Sequence, residues 1–322
     1  MAILLAFGAR DAKPWMSALR EVDDALDLRI WPDCGELRDI TFVIAWYHPA
    51  GLFSTLPNLR CVQSLGAGVD HILRDPLLPP NVAVARIVDK SLARSMAQYV
   101  TTAALNHLGR FPSYQKSQLK RQWQPLPPIA ASQQTVGIMG LGRLGATTAH
   151  ALRQAGFTVQ GWSRSPKKLA GIKAYSEEAQ LPQFLANVNI LVCLLPLTPT
   201  TTNILNAQLF AQLPRGAYVI NVGRGSHLVE DDLLAALDCG QLSGACLDVF
   251  RQEPLPIDHP FWQRKEIIIT PHISSVTDPQ AAVRQLGVLE QPLRGLHDHG
   301  HAGLVVAPQQ RRPVRGDQSR TN

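Results

Sequence analysis

The sequence predicts an α/β fold made of two doubly wound parallel-sheet domains. Three observations predict it. Short, continuously apolar, β-rich runs alternate with amphipathic stretches through most of the chain, the pattern of strands covered on both faces by helices. These runs fall into two series, separated by a long helical stretch and a Pro-rich connector. One strand of the second series ends in a glycine-rich turn, Gly140-x-Gly142-x-x-Gly145, that opens straight into a helical pattern.

The first series is "AILLAFG", "FVIAWY" and "RCVQSL". "SLARSMAQYVTTAALNHLGRF" then reads as one long helix, and "QPLPPIAASQQ" as the connector. The second series is "TVGIMG", "FTVQGW", "NILVCLL", "AYVINVG", "GACLDVF" and "EIIITPH". Between its members, "RLGATTAHALRQAG" and "EDDLLAALDCG" carry helical patterns, the latter closed by a glycine suited to a helix C-terminus. This places one domain at residues 1–98 and a second at 99–277. The segment 278–305 is expected to return to the first domain, and 306–322 to form a basic, disordered tail.

Length and composition allow this. A chain of 322 residues can bury two cores, and 45% hydrophobic with 17% charged residues is a globular balance. The net charge of +6 invites a nucleic-acid reading, but the last 12 residues hold four arginines (311, 312, 315 and 320) against Asp317. Half the excess is therefore a terminal tail, and no nucleic-acid partner is called for. The five cysteines are scattered singly, without a C-x-x-C pair, a reduced, intracellular pattern. "MAILLAFGARD" is too short for a membrane span and has no basic segment before its apolar run. The expected location is the cytoplasm, with no membrane partner.

A glycine turn between a strand and a helix is the fingerprint of a Rossmann dinucleotide-binding domain. Gly140 permits the tight turn, Gly142 lets backbone approach a pyrophosphate, and Gly145 lets the helix pack closely on the strand. The helix start, Arg143 and Leu144, then offers N–H groups and a positive dipole end to the anion. About 20 residues further on, an acid would hold a ribose 2′-hydroxyl. "GWSRSPKK" has none. Ser163 can donate to a 2′-phosphate, Arg164 can make charge-assisted bonds to it, and Lys167 and Lys168 add to the field. The expected cofactor is NADPH in preference to NADH.

Three later segments end strands in polar residues: "INVGRGSHLVEDDLLAAL" with Arg224, "GACLDVFRQEPLP" with Asp248 and Glu253, and "IIITPHISS" with His272. Each alone is ordinary. Together with "LGAGVD" and "WQPLP", in this order, they resemble the D-2-hydroxyacid dehydrogenases, and most of all the glyoxylate/hydroxypyruvate reductase A branch. The likeness runs from about residue 40 to 280. It implies that Arg224 binds the substrate's carboxylate and carbonyl, and that Glu253 partners His272, which moves the proton. It also implies that Asp248 lies near the nicotinamide, with Pro196, Val222, Gly223 and Ser274 along the cofactor. Ala67 and Gly68 of the "GAGVD" turn are implied at the substrate. Trp46, Met96 and Trp123 are candidates for the pocket wall, or plain core. The implied reaction is reduction of glyoxylate to glycolate and hydroxypyruvate to D-glycerate, by a homodimer.

The chemistry agrees with these roles. Reducing a 2-oxo acid needs a hydride at C2 and a proton for the developing alkoxide. A histidine beside a carboxylate suits the proton, and an arginine orients the acid and stabilises growing negative charge. Beyond Pro279 the likeness fades, because Gly287, Pro292 and Gly295 interrupt the expected closing helix. His297, His299 and His301 alternate there; no metal is expected of them. A non-catalytic NAD(P)-sensing protein on the same fold stays open as the alternative. Formate dehydrogenases would carry Gln at 253, and a phosphoglycerate dehydrogenase with a regulatory domain would need more chain than follows His272.

Overall fold

The computed structural model describes residues 1–8, 10–283 and 304–306. The chain divides into two compact units: Met1–Asp89 with the described residues from Thr277 on, and Lys90–Val276. In the first unit, β1 (Ala2–Ala6) is followed by α1 (Lys13–Val22), β2 (Asp27–Ile30) and β3 (Ile40–Ala45). Then come β4 (Cys61–Ser64), the short α2 (Asp70–Leu73) and β5 (Ala83–Ala85).

The second unit opens with α3 (Lys90–Leu108) and α4 (Phe111–Leu119). Next are β6 (Thr135–Met139), α5 (Arg143–Gln154), β7 (Thr158–Ser163), β8 (Lys173–Ser176) and α6 (Leu181–Leu185). It continues through β9 (Ile190–Cys193), α7 (Ala207–Phe210) and β10 (Ala217–Asn221) to α8 (Glu230–Asp238), β11 (Leu242–Leu247) and β12 (Ile267–Ile269). The chain then returns to the first unit, where α9 (Pro279–Val283) packs on α1 and β13 (Leu304–Val306) joins the sheet.

The first sheet has the order β13-β5-β4-β3-β1-β2, parallel except for the antiparallel pair β13–β5. The second, wholly parallel, has the order β12-β11-β10-β9-β6-β7-β8. Strand order reverses between β6 and β9, the point where such sheets open a crevice at their carboxyl ends.

Alternation along the central strands of the second sheet separates two cores. Met139, Leu191, Val219 and Leu247 face one; Ile138, Val192, Ile220 and Cys246 face the other, under α3 and α5. A third core, including Leu4, Val43, Phe53 and Val62, fills the first unit. Fully burying one such side chain contributes about 1.5–3 kcal/mol.

The boundary expected at 98/99 falls inside α3. That helix belongs whole to the second unit, because Met96, Val100 and Ala104 pack in the core beneath α5. Met96 is thus core and not a pocket wall. Trp123, in contrast, stands fully exposed after α4, so in this chain it is neither core nor a wall. The tail 306–322 beyond its first residue, the three alternating histidines and the helix-interrupting Gly287, Pro292 and Gly295 lie outside the described residues. No described helix is long and apolar enough to cross a membrane, and the described residues hold no cluster of three metal-ligating side chains.

Candidate active site

The glycine turn takes the geometry its residue types require. Gly140 has φ +107°, closed to most side chains, and a Cβ there would lie 2.6 Å from the Leu194 carbonyl oxygen at the end of β9. A Cβ on Gly145 would lie 1.9 Å from the Gly140 oxygen, so α5 and β6 touch backbone to backbone. At Gly142, the N-cap of α5, a Cβ would meet nothing within 4 Å. That open face beside a helix start is where backbone N–H groups can receive an anion.

A cleft of about 990 Å³ runs from this turn along the strand ends, lined by Gly140, Gly142, Ser163, Arg164, Lys167 and Pro196 among others. Ser163 is buried at the end of β7, its hydroxyl donating to the Ser165 carbonyl at 2.8 Å. Arg164 and Lys167 are exposed on the cleft wall. Glu177 and Glu178 also line it, but the Glu177 carbonyl is tied to the Trp162 indole N–H at 2.7 Å. Arg143, the first residue of α5, also lines a second cleft between α3 and α5. Leu144 follows it in the first turn of α5, half-buried.

Arg224, Glu253 and His272 follow β10, β11 and β12, three neighbouring strands, at their carboxyl ends. His272 Nδ1 lies 2.7 Å from Glu253 Oε2, and the Phe250 N–H donates to Glu253 Oε1 at 3.0 Å. Both side chains are about four-fifths buried, at 22% and 19% exposure. The carboxylate thus fixes the ring and faces Nδ1, so a proton exchanged with substrate belongs on Nε2. His272 sits at φ +54°, a strained position for a residue with a side chain.

Asp248 supplies the restraint. It is fully buried, its Oδ1 accepting from the Thr270 hydroxyl and the Ile273 N–H, its Oδ2 from the Ser274 N–H, and its carbonyl from the His272 N–H. Thr270 is also held at 2.5 Å by the Tyr99 hydroxyl from α3. Asp248 therefore organises the loop that carries His272, which its position in the sequence does not reveal. Val222, Gly223 and Ser274 are likewise buried at these strand ends.

The Arg224 backbone is clamped on both sides. Its N–H donates to His227 Nδ1 at 3.0 Å, and its carbonyl accepts from Asn221 Nδ2 at 3.1 Å. A Cβ on Gly225 would lie 1.8 Å from the Phe250 carbonyl carbon, which explains the second glycine of "GRG". In the first unit, Trp46 ends β3 and the Gly66–Gly68 turn ends the neighbouring β4. The Ser64 hydroxyl accepts from Gly66 N–H and donates to the Gly68 carbonyl, shaping the turn that presents Ala67. Trp46 is buried against Gly66, and Arg10 lies over its ring at 5.0 Å. Arg10 and His227 had no signal in the sequence, since neither sits in a recognisable spacing.

Residues 101–274 match the NAD binding domain of the D-isomer specific 2-hydroxyacid dehydrogenases. The chain belongs to that family. It is therefore an NAD(P)-dependent oxidoreductase. Among its relatives is glyoxylate/hydroxypyruvate reductase A of Yersinia enterocolitica, 41% identical over 281 residues, which is 86% of this chain and 90% of the relative. The crystal structure of a family member from Xanthobacter autotrophicus Py2, in complex with NADPH and MES, matches with a TM-score of 0.87 at 36% identity, covering 96% of this chain and 98% of the other. That of the NADPH-dependent glyoxylate/hydroxypyruvate reductase of Sinorhizobium meliloti, with NADP and sulfate, gives 0.84 at 37% identity, covering 91% and 96%. The non-catalytic alternative gives way to this membership.

Proposed function

We propose that this dehydrogenase reduces small 2-oxo acids with NADPH, taking glyoxylate to glycolate and hydroxypyruvate to D-glycerate. The observation that carries the reading is the 2.7 Å pair of His272 and Glu253 at the strand ends that also present Arg224. The same substrates are named for the relatives from Yersinia and Sinorhizobium.

The cleft fits a phosphorylated dinucleotide. Gly142 leaves room at the start of α5, and Arg164 and Lys167 put positive charge where no acid follows the second strand. Those residues, with the N–H groups of Arg143 and Leu144, would hold the phosphates. Bound there, NADPH supplies the hydride that a 2-oxo acid accepts at C2. Pro196, Val222, Gly223 and Ser274 would border the nicotinamide half. Asp248, whose carboxylate already serves three donors, contributes by fixing the His272 loop.

The chain's own residues carry the rest. Arg224 orients the carboxylate and carbonyl and stabilises charge that grows on the carbonyl oxygen. His272 delivers a proton to that oxygen from Nε2, while Glu253 holds Nδ1–H and stabilises the charged ring that gives it up.

Two variants test this proton path together. His272→Asn should lower kcat by about 10²–10⁴ while NADPH still binds. Glu253→Gln should also lower kcat, because the carboxylate that holds the ring at Nδ1 is gone. An unchanged kcat in Glu253→Gln would remove Glu253 from the mechanism.

A further inference from the structure

We propose that His227 is a positioning residue for the substrate-binding arginine, acting as a buried, neutral imidazole locked in one tautomer. The proposal rests on the reading of Arg224 given above. His227 is completely buried, three residues after Arg224 in the 3₁₀ turn Gly225–His227. A Cβ on Gly223 would come within 2.9 Å of its Nδ1, so the ring packs closely against the Gly223 backbone.

The tautomer follows from the partners. Nδ1 faces the Arg224 backbone N–H at 3.0 Å, a donor, so Nδ1 must be the acceptor and carry no proton. The ring proton is then on Nε2, which faces the Pro196 carbonyl at 3.4 Å. Pro196 lines the cofactor cleft, and its carbonyl is also bonded by the Thr201 hydroxyl at 2.7 Å. One imidazole therefore joins the backbone of the substrate arginine to the wall of the dinucleotide cleft. Both ends of the Arg224 peptide are fixed by buried side chains, His227 on the N–H and Asn221 on the carbonyl. A side chain that must meet a small acid within a fraction of an ångström gains its accuracy from such a clamp.

Two substitutions separate the two nitrogens. Asn places an acceptor oxygen where Nδ1 stands and has no donor as far out as Nε2. Gln reaches the Nε2 position with a donor and has only carbon where Nδ1 stands. His227→Gln should raise the KM for glyoxylate by about tenfold or more, the scale of a small misplacement of a binding group. The Kd for NADPH, read by fluorescence titration, should stay within about twofold in the same protein, since the glycine turn and Arg164 are untouched. His227→Asn should hold the KM within about threefold of the parent, because the acceptor for the Arg224 amide is retained. If Asn and Gln raise the KM equally, or if the NADPH Kd rises in step with it, His227 only supports the fold and the proposal fails.

Arg224→Lys, measured alongside, keeps the two readings apart. An unchanged KM there would sink the arginine's role, whereas a raised KM with a normal His227→Gln would sink His227 alone. Selective ¹⁵N-histidine labelling of the parent protein needs no variant to fold. It should show one solvent-protected ring, at neutral pH, with unprotonated Nδ1 and protonated Nε2. The reverse tautomer for His227 would overturn the proposal.

Discussion

Arg164 stands exposed at the cleft wall, directly after the buried strand end at Ser163. Losing one charged hydrogen bond to a 2′-phosphate costs about 1.5–3 kcal/mol. Arg164→Ala should therefore weaken NADPH use by about ten- to a hundredfold and leave NADH use nearly unchanged, as read from kcat/KM with each cofactor. Equal losses with both would show that the arginine does not meet the 2′-phosphate. This position was legible because it depends on residue type at a fixed distance from the glycines. Arg224, Glu253 and His272 are each ordinary after a strand, and only the family resemblance of their motifs, taken in order, marks them as candidates. The resemblance marked Asp248 as a neighbour of the nicotinamide, not as the anchor of the His272 loop, and nothing marked His227. Their hydrogen bonds reach groups up to 31 positions away, the Thr270 hydroxyl, the Ile273 and Ser274 N–H groups and the Pro196 carbonyl, and no spacing encodes those.

Strands buried on both faces announce themselves, and β1, β6, β9, β10 and β11 are all read as continuous apolar runs. β2 and β8 were missed because they are edge strands with half-exposed, polar sequences, "DLRI" and "KAYS". β5 is buried at its start but only three residues long, too short to show a period. The long helix α3 was visible, yet its unit was not, since the boundary depends on which core receives its apolar face. That packing has a measurable consequence. His107, near the end of α3, stacks on Tyr218 of β10 at 4.0 Å, and burial, assisted by Arg110, pushes its pKa down to about 4. The unfolded chain takes up this proton near its ordinary value of about 6.5. Stability is therefore lost as pH falls from about 6.5 to about 4, by up to about 3 kcal/mol from this group. His107→Phe keeps the stack without the titration. Its melting temperature should fall less between those pH values than the parent's, and parallel curves would show that His107 does not titrate in this window.

For the whole molecule, the alternating pattern and the glycine turn were enough to predict two parallel α/β units, whereas α9 and β13 within the segment 278–305 were not foreseen as elements. The oligomeric state was not legible in composition. The surface now offers a reason for one: Phe111, Leu119 and Trp123, in and just after α4, are 58%, 87% and 101% exposed, and large apolar groups left in water favour burial against a partner. We expect a homodimer, seen by light scattering as twice the chain mass and reduced toward one chain by Trp123→Asp with Leu119→Asp. A single-chain mass for the parent would contradict it.

The central claim, NADPH-dependent reduction of small 2-oxo acids, is met most directly by one matrix of kcat/KM values. Glyoxylate, hydroxypyruvate, pyruvate and phenylpyruvate are each measured with NADPH and with NADH. Arg224 would grip all four acids alike, so discrimination falls to the space around C3, where a missing or added methylene is worth about 1–3 kcal/mol. Glyoxylate and hydroxypyruvate should give the highest values, pyruvate a weaker one and phenylpyruvate the lowest, all favouring NADPH. A matrix led by phenylpyruvate or by NADH, or one with no turnover in any cell, would contradict the account.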